Sequence, residues 1–171
     1  QRFHDRPDHA GRWRIGHALT EASVAEMSNH RRIDDILRTR AAAAPDAPAL
    51  IEGAQTLSYG EMDAAIEETS LWLGELGIGP GDRVMVVCEN SIAGVILIYA
   101  IMRRDAWAAP VNARLSAREI DTIRDHCAPR RVIYTSDISP DAAAHAQRHG
   151  AETTQFGQLG TIAMSPPGDG D

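Results

Sequence analysis

Two polar segments of the sequence could contact a ligand, because each follows a run of residues typical of a buried strand. Residues 89–91 (Glu-Asn-Ser) follow the apolar run 83–88, and residues 110–115 follow the weaker run 106–109. Ligands of open α/β sheets bind beyond the carboxyl ends of the strands. Arg114 in the second segment has planar donors that suit a phosphate. The simpler interpretations are helix capping for the first segment and a solvated arginine beside a helix start for the second.

The glycine-rich segment 77–82 (Gly-Ile-Gly-Pro-Gly-Asp) resembles a phosphate-binding loop in composition only. A dinucleotide loop follows a strand and opens a helix, whereas this segment closes a helix and precedes a strand. It also lacks the Gly-Lys-Ser/Thr of a nucleotide-binding loop. We therefore predict a plain turn at the amino end of the sheet.

Histidine and cysteine patterns indicate neither catalysis nor a metal site. His126 and Cys127 are a possible base and nucleophile, but sequence neighbours at a helix end rarely face each other, and no third orienting residue is evident. His4, His9 and His17 share no helical face and have no companion carboxylate or cysteine pattern, which disfavours metal binding. The sequence therefore predicts no catalytic residue and no metal site.

Composition excludes several classes of partner. The 171 residues include 17 Lys+Arg and 24 Asp+Glu, and the net charge of −7 disfavours nucleic acid. The longest apolar run, 92–102, is shorter than the roughly 18 residues of a membrane span, and the amino terminus lacks the apolar core of a secretory signal. Cys88 and Cys127 lie far apart, as expected of reduced thiols in a cytoplasmic protein.

Capping signals predict where the main helices begin. Ser58 with Glu61 and Ser116 with Glu119 form capping boxes, so helices should start at residues 59 and 117. The first should carry one inward stripe and stop at a left-handed glycine, Gly77. Apolar spacing predicts further helices over residues 32–44, 92–103 and 141–149 and a short one near residues 19–27.

The strand pattern predicts an α/β fold with a parallel sheet covered by helices on both faces. A hairpin over residues 49–57 precedes the strands 83–88, 106–109 and 132–134, which alternate with helices, and residues 152–156 form at most a short terminal strand. Short connections between such units require right-handed crossovers. We expect a weakly structured lead-in over residues 1–29, an α/β unit over 30–156 and a flexible linker or tail over 157–171.

The order of four motifs resembles the adenylate-forming, or AMP-binding, acyl-CoA synthetase and ligase family. They are Leu57–Met62 (LSYGEM), Leu76–Val84 (LGIGPGDRV), Glu89–Ser91 (ENS) and Ala109–Ser116 (APVNARLS). In the family the corresponding pieces are LTYxEL, LGxGxGDRV, PNS and PxNxRL, in the same order. The resemblance covers residues 33–134 and implies part of the large N-terminal domain of an AMP-forming ligase.

The resemblance implies a parent enzyme that uses MgATP to join a carboxylic acid to AMP and then transfers the acyl group to coenzyme A. The family's Ser/Thr-Gly-rich phosphate loop, its ribose-binding aspartate and its lid lysine are absent from this chain. The chain is therefore expected to be inactive without that remainder and to bind ATP, Mg or CoA only weakly alone. The arginine of the N-x-R-L motif contacts CoA phosphates in some relatives, and Arg114 occupies its position.

Two departures from the family pattern leave a divergent or degenerate copy open. Arg104-Asp105 replaces the usual Ala/Leu-Gly, which is expected to alter a tight turn, and Cys88-Glu89 replaces Leu-Pro. The alternative function is a non-catalytic binding or scaffolding module derived from the fold. A split enzyme predicts an exposed apolar face, with helix 92–102 as its main contributor, where the remainder or a second copy packs. Neither the acid substrate nor the oligomeric state can be read from these residues.

Overall fold

The computed structural model describes residues 32–168. Its helices are α1 (Ile33–Ala43), α2 (Tyr59–Glu75), α3 (Ile92–Arg103), α4 (Ala117–Cys127) and α5 (Pro140–Arg148). Its strands are β1 (Pro48–Glu52), β2 (Gln55–Ser58), β3 (Arg83–Cys88), β4 (Trp107–Asn112), β5 (Arg131–Tyr134), β6 (Glu152–Phe156) and β7 (Gly160–Met164). The lead-in predicted over residues 1–29, with its short helix, lies outside the described residues.

The main sheet has five strands in the order β4-β3-β5-β7-β6, and β1 and β2 form a separate hairpin. Strand β3 pairs in parallel with both β4 and β5, whereas β7 pairs antiparallel with both β5 and β6. The predicted α/β class is confirmed, but the sheet is mixed rather than wholly parallel. The turn between β6 and β7 has only three residues, Gly157–Leu159, which allows antiparallel pairing alone.

The prediction of a flexible tail over residues 157–171 is wrong for residues 157–164, which form a turn and a strand. Strand β7 lies between β5 and β6, and its Ile162 and Ala163 are fully buried. Gly157 and Gly160 have φ of +41° and +65°, so these glycines form a tight turn and do not mark a linker. Of the described residues after β7, 165–168 have no regular structure.

Helices cover both faces of the sheet, as predicted. Strand β3 is buried on both sides: Val84 and Val86 pack in the core formed with α1, α2 and α3, and Met85 and Val87 pack in the core formed with α4 and α5. All four side chains have no solvent exposure. In the described part of the chain, no helix is long and apolar enough to cross a membrane.

Local capping fixes the helix starts. Ser58 Oγ accepts from the Glu61 amide at 3.2 Å while the Glu61 carboxylate accepts from the Ser58 amide at 2.8 Å, and an equivalent box at Ser116 starts α4. Ser91 caps α3 by accepting from the Gly94 amide at 3.1 Å. These contacts confirm the helix starts predicted for residues 59 and 117.

The turn before β4 contains a left-handed residue that is not glycine. Asp105 adopts φ +59°, the left-handed region that glycine occupies most easily. Aspartate is among the residues that tolerate this region. The chain therefore enters β4 through a left-handed aspartate, and the expectation that Asp105 alters this turn relative to the family stays a prediction.

The exposed apolar surface lies elsewhere than predicted. Helix α3 buries Ile96, Leu97 and Ile101 completely, because it packs between α2, β3 and the hairpin. The large exposed apolar side chains include Trp107 of β4 and Ile33 of α1, with 70% and 55% exposure. Helix α3 contributes only partly buried side chains to this surface.

Candidate functional site

A cavity of about 490 Å³ opens at the carboxyl ends of β3 and β4. It is lined by Cys88, Glu89, Asn90, Pro110, Val111, Asn112 and Arg114. The two polar segments that the sequence placed after neighbouring strands therefore meet at one edge of the sheet. This is the edge at which open α/β folds bind ligands.

An ion pair spans this cavity. Arg114 donates from Nε at 3.0 Å and from Nη2 at 2.5 Å to the same Glu89 oxygen, Oε2. The other Glu89 oxygen, Oε1, accepts from the Ser139 hydroxyl at 2.9 Å. The Arg114 side chain is 70% exposed and that of Glu89 is 23% exposed. Arg114 is thus a paired, accessible cation and not a merely solvated one.

Short backbone contacts hold the two loops in place. The Asn112 side-chain oxygen accepts from the Arg114 amide at 3.0 Å, forming a local turn after β4. The Ala113 amide donates to the Cys88 carbonyl at 3.0 Å and ties this turn to the end of β3. The guanidinium therefore projects from a loop that is fastened to the neighbouring strand.

The third element of the site is the start of α5. Ser139 is fully buried, and its hydroxyl accepts from the Ala142 amide at 3.1 Å as the helix cap while it donates to Glu89. Pro140 occupies the first helical position, where its missing N–H costs nothing. The Ser139 hydroxyl thus caps α5 and also holds the Glu89 carboxylate in the cavity.

These contacts set the charge states at the cavity. The hydrogen bond from Arg114, and then that from Ser139, hold the pKa of Glu89 below its usual value, and the same pairing raises the pKa of Arg114. Burial raises the pKa of Cys88, so its thiol is protonated at neutral pH and is a poor nucleophile. The cavity presents an ionised acid and base but no activated nucleophile.

The other sequence candidates lie away from this cavity. The Gly79 amide donates to Asp82 Oδ2 at 2.8 Å, closing the glycine-rich segment as a turn before β3, at the opposite end of the sheet. His126 and Cys127 end α4, and no hydrogen bond joins them. Across residues 32–168, no group of three His, Cys, Asp or Glu side chains is arranged to hold a metal ion.

Two of the polar arrangements that were missed from the sequence lie outside the cavity. Glu52 of β1 accepts from the Ile92 amide at 2.7 Å and thereby completes the cap of α3. The second is a chain of contacts under α4 and α5, in which the Tyr134 hydroxyl meets His149 Nδ1 at 2.5 Å and His149 Nε2 meets Asp121 at 2.8 Å. Both depend on residues far apart in sequence, so no local pattern could have shown them.

Burial of His149 favours its neutral imidazole, although the contact with Asp121 acts in the opposite direction. Burial lowers the pKa of His149 and raises that of Tyr134 to about 12, while hydrogen bonds from Arg148, and then from His149, lower the pKa of Asp121 to about 2. The Tyr134 side chain is fully buried. This arrangement joins β5, α4 and α5 and is separate from the cavity at the carboxyl end of the sheet.

Together, the fold and the cavity define a class of protein. It is an α/β layer in which the parallel strands end at an edge that is a candidate site for binding an anion. The model of the family described as "AMP-binding enzyme" matches residues 37–164, from α1 to the end of β7. The chain belongs to the AMP-binding enzyme family.

Named relatives include two CoA ligases. The long-chain-fatty-acid–CoA ligase FadD13 of Mycobacterium tuberculosis is 32% identical over 112 residues, which are 64% of this chain and 22% of the relative. The 3-hydroxybenzoate–CoA ligase of an Aromatoleum species is 29% identical over 94 residues, 55% of this chain and 18% of the relative. The chain thus spans about a fifth of the length of these relatives.

A solved structure supports the same relationship. The M. tuberculosis fatty acyl CoA synthetase superposes with a TM-score of 0.63 at 30% identity, covering 71% of this chain and 24% of that one. The inhibitor-bound N-terminal domain of FACL13 from the same organism gives a TM-score of 0.61 at 32% identity, covering 67% and 29%. The described layer therefore resembles part of an N-terminal ligase domain.

Proposed function

We propose that this chain is the N-terminal portion of an AMP-forming carboxylate–CoA ligase. The observation that carries the proposal is the family match over residues 37–164, which coincides with the folded layer. In the proposed reaction a carboxylate attacks the α-phosphate of ATP, pyrophosphate leaves, and the CoA thiol then displaces AMP from the acyl adenylate. Resemblance to named CoA ligases favours CoA as the acceptor.

The chain's own residues fit only part of this chemistry. Within residues 32–168 the acidic side chains form no cluster that suits Mg, so ATP and Mg are assigned to the remainder of the enzyme. The accessible Arg114 guanidinium suits a phosphate instead, because its planar donors can bind two oxygens. The neutral side chains of Asn90 and Asn112 and a protonated Cys88 complete a surface that binds and orients but does not react.

Arg114 is proposed as the contact for a phosphate of CoA. It lies on a loop at the ligand-binding edge of the sheet and has 70% of its side chain exposed. Its removal should weaken the step that uses CoA without altering formation of the acyl adenylate. A group that contacts only CoA cannot contribute to the first half-reaction.

Carboxylate-dependent exchange of labelled pyrophosphate into ATP tests the ligase assignment. The natural polypeptide that contains residues 1–171 should catalyse exchange with at least one member of an aliphatic and aromatic acid panel, whereas residues 1–171 alone should not. Reactions without acid or without Mg serve as controls. The assignment fails if the natural polypeptide has no phosphate loop and no exchange with any acid.

The packing partner is proposed to be the rest of the ligase. Trp107 and Ile33 lie beside the open edge of β4, along a groove of about 580 Å³. Because exposed apolar surface of this kind marks an interaction site, the remainder or a second copy should cover it. Acrylamide quenching of Trp107, isolated by comparison with Trp107→Phe, should fall in the natural polypeptide; equal quenching in both forms would contradict coverage.

The alternative is a non-catalytic binding or scaffolding module. Two closed hydrophobic cores favour independent folding of the layer, which such a module requires. Calorimetry of residues 1–171 with ATP and with CoA, together with a search for a co-purifying partner, separates the two proposals. Tight ligand binding without exchange activity in the natural polypeptide supports the module.

In either role we propose a cytoplasmic location, which the two unpaired cysteines support.

A further inference from the structure

We propose that Glu89 determines the anion affinity of the cavity, because its carboxylate occupies the Arg114 donors that a phosphate would use. A phosphate group of CoA can then use the Nε–Nη2 edge of Arg114 only by displacing Glu89. The inference rests on the proposed function, since that function supplies the phosphate ligand.

The geometry makes the glutamate the fixed partner and the arginine the movable one. Glu89 is held by the buried Ser139 hydroxyl at 2.9 Å, and only 23% of its side chain is exposed. Arg114 extends from its loop with 70% exposure. An incoming anion can therefore draw the guanidinium away while Glu89 stays anchored to the start of α5.

The pairing also occupies one edge of the guanidinium. Nε and Nη2 both donate to Glu89 Oε2, so two of the three nitrogens point at the carboxylate. A bidentate phosphate contact requires two adjacent N–H donors. A bidentate contact between a phosphate and this edge of Arg114 therefore competes with the ion pair between Arg114 and Glu89.

Charge balance within the cavity supports the same conclusion. Among the residues that line it, Arg114 is the one cation and Glu89 the one carboxylate. The pair cancels the field that would attract an anion.

Titration of CoA into the 171-residue chain, followed by the NMR resonance of Arg114 Nε–H and by calorimetry, tests the inference. Glu89→Gln keeps the side-chain shape but removes the charge, and should lower the Kd for CoA about threefold to fivefold, as expected for loss of a competing exposed ion pair. In Arg114→Gln, binding should weaken. In the double variant that combines Glu89→Gln with Arg114→Gln, the increase in CoA affinity caused by Glu89→Gln should disappear.

Glu75→Gln is the matched control, because Glu75 is an exposed glutamate in the last turn of α2, at the other end of the sheet. It changes net charge equally and should leave the Kd unchanged. The inference is overturned if Glu89→Gln binds CoA no more tightly than Glu75→Gln, or if the gain persists without Arg114. Normal pyrophosphate exchange in the natural polypeptide would then show that the ligase assignment stands although the role of Glu89 does not.

Discussion

Two arginines of this chain pair with carboxylates from distant elements but differ in burial. Arg103 at the end of α3 has 6% side-chain exposure and contacts Asp34 of α1 at 2.7 Å and Asp63 of α2 at 2.6 Å. Arg114 has 70% exposure and contacts Glu89 alone. The first ion pair joins three helices, whereas the second spans an open cavity.

Burial decides what each pair can do. Burial alone would lower the pKa of Arg103, but the hydrogen bonds that it donates to Asp34 and Asp63 outweigh burial and raise the pKa above its usual value. Asp34 is itself buried, so neither partner can leave without stranding a charge in the core. Arg114 can exchange its partner for water or a ligand. The exposed pair is therefore the one suited to binding.

The largest effect should come from placing an unpartnered charge on the helix that carries Arg103. Ile96 of α3 is fully buried between the sheet and α2. Ile96→Asp should lower the free energy of unfolding by about 4 kcal/mol or more, because the new carboxylate has no partner. Urea denaturation measures it, with Ile96→Val, expected at about 1 kcal/mol, as control. A small loss for the aspartate variant would refute burial of this face.

Arg103→Ala should destabilise the protein by about 3–5 kcal/mol, because it leaves Asp34 buried without its main partner. The matched substitution Arg114→Ala should change the free energy of unfolding little, since that pair is exposed. Denaturation of both variants in parallel checks the contrast. Equal losses would contradict the distinction between a buried and an exposed arginine.

Ser139 caps α5 and also contacts the exposed pair of Glu89 and Arg114. We therefore expect its removal to change the free energy of unfolding by an amount between those for Arg103 and Arg114. Ser139→Ala removes the α5 cap and should cost about 1 kcal/mol of stability. It also removes a hydrogen bond to Glu89, so the pKa of Glu89 should rise. Ser139→Thr, which keeps a hydroxyl, should restore most of both properties; failure of threonine to rescue the pKa would argue against the hydrogen bond.

The smallest expected effect is the change of the free energy of unfolding with pH that Glu89 causes. The pKa of Glu89 is lowered from its usual 4.5, so its contribution to stability is complete above about pH 4.5 and is lost as pH falls through the lower folded-state value. Arg114→Gln should return the pKa toward 4.5, as measured by NMR titration of the carboxyl carbon. An unchanged pKa in this variant would show that the pair does not persist in solution.

The starts of α2 and α4 could be predicted because their signals are local. Each capping box lies within four residues, and the buried run of β3 is continuous. Strand β7 was missed because the glycine and proline residues around it are typical of a linker, although its hairpin with β6 is local. Burial of Asp34 was missed because periodicity treats aspartate as a surface residue and its partner is 69 residues away.

The position of the cavity could be predicted from the sequence, but the ion pair between Glu89 and Arg114 could not. The rule that ligands bind beyond the carboxyl ends of strands placed residues 89–91 and 110–115 at one edge, and the cavity is there. The contact between Glu89 and Arg114 required the relative register of β3 and β4 and the path of both loops. The role of Ser139 required the additional approach of α5.

The most direct test of Arg114 as a binding residue is the KM for CoA of the natural polypeptide carrying Arg114→Gln, measured in thioester formation. We predict an increase of about tenfold, as for loss of a charge-assisted contact, with carboxylate-dependent pyrophosphate exchange unchanged. An unaltered KM for CoA, or an equal loss in both half-reactions, would contradict the assignment of Arg114 to CoA.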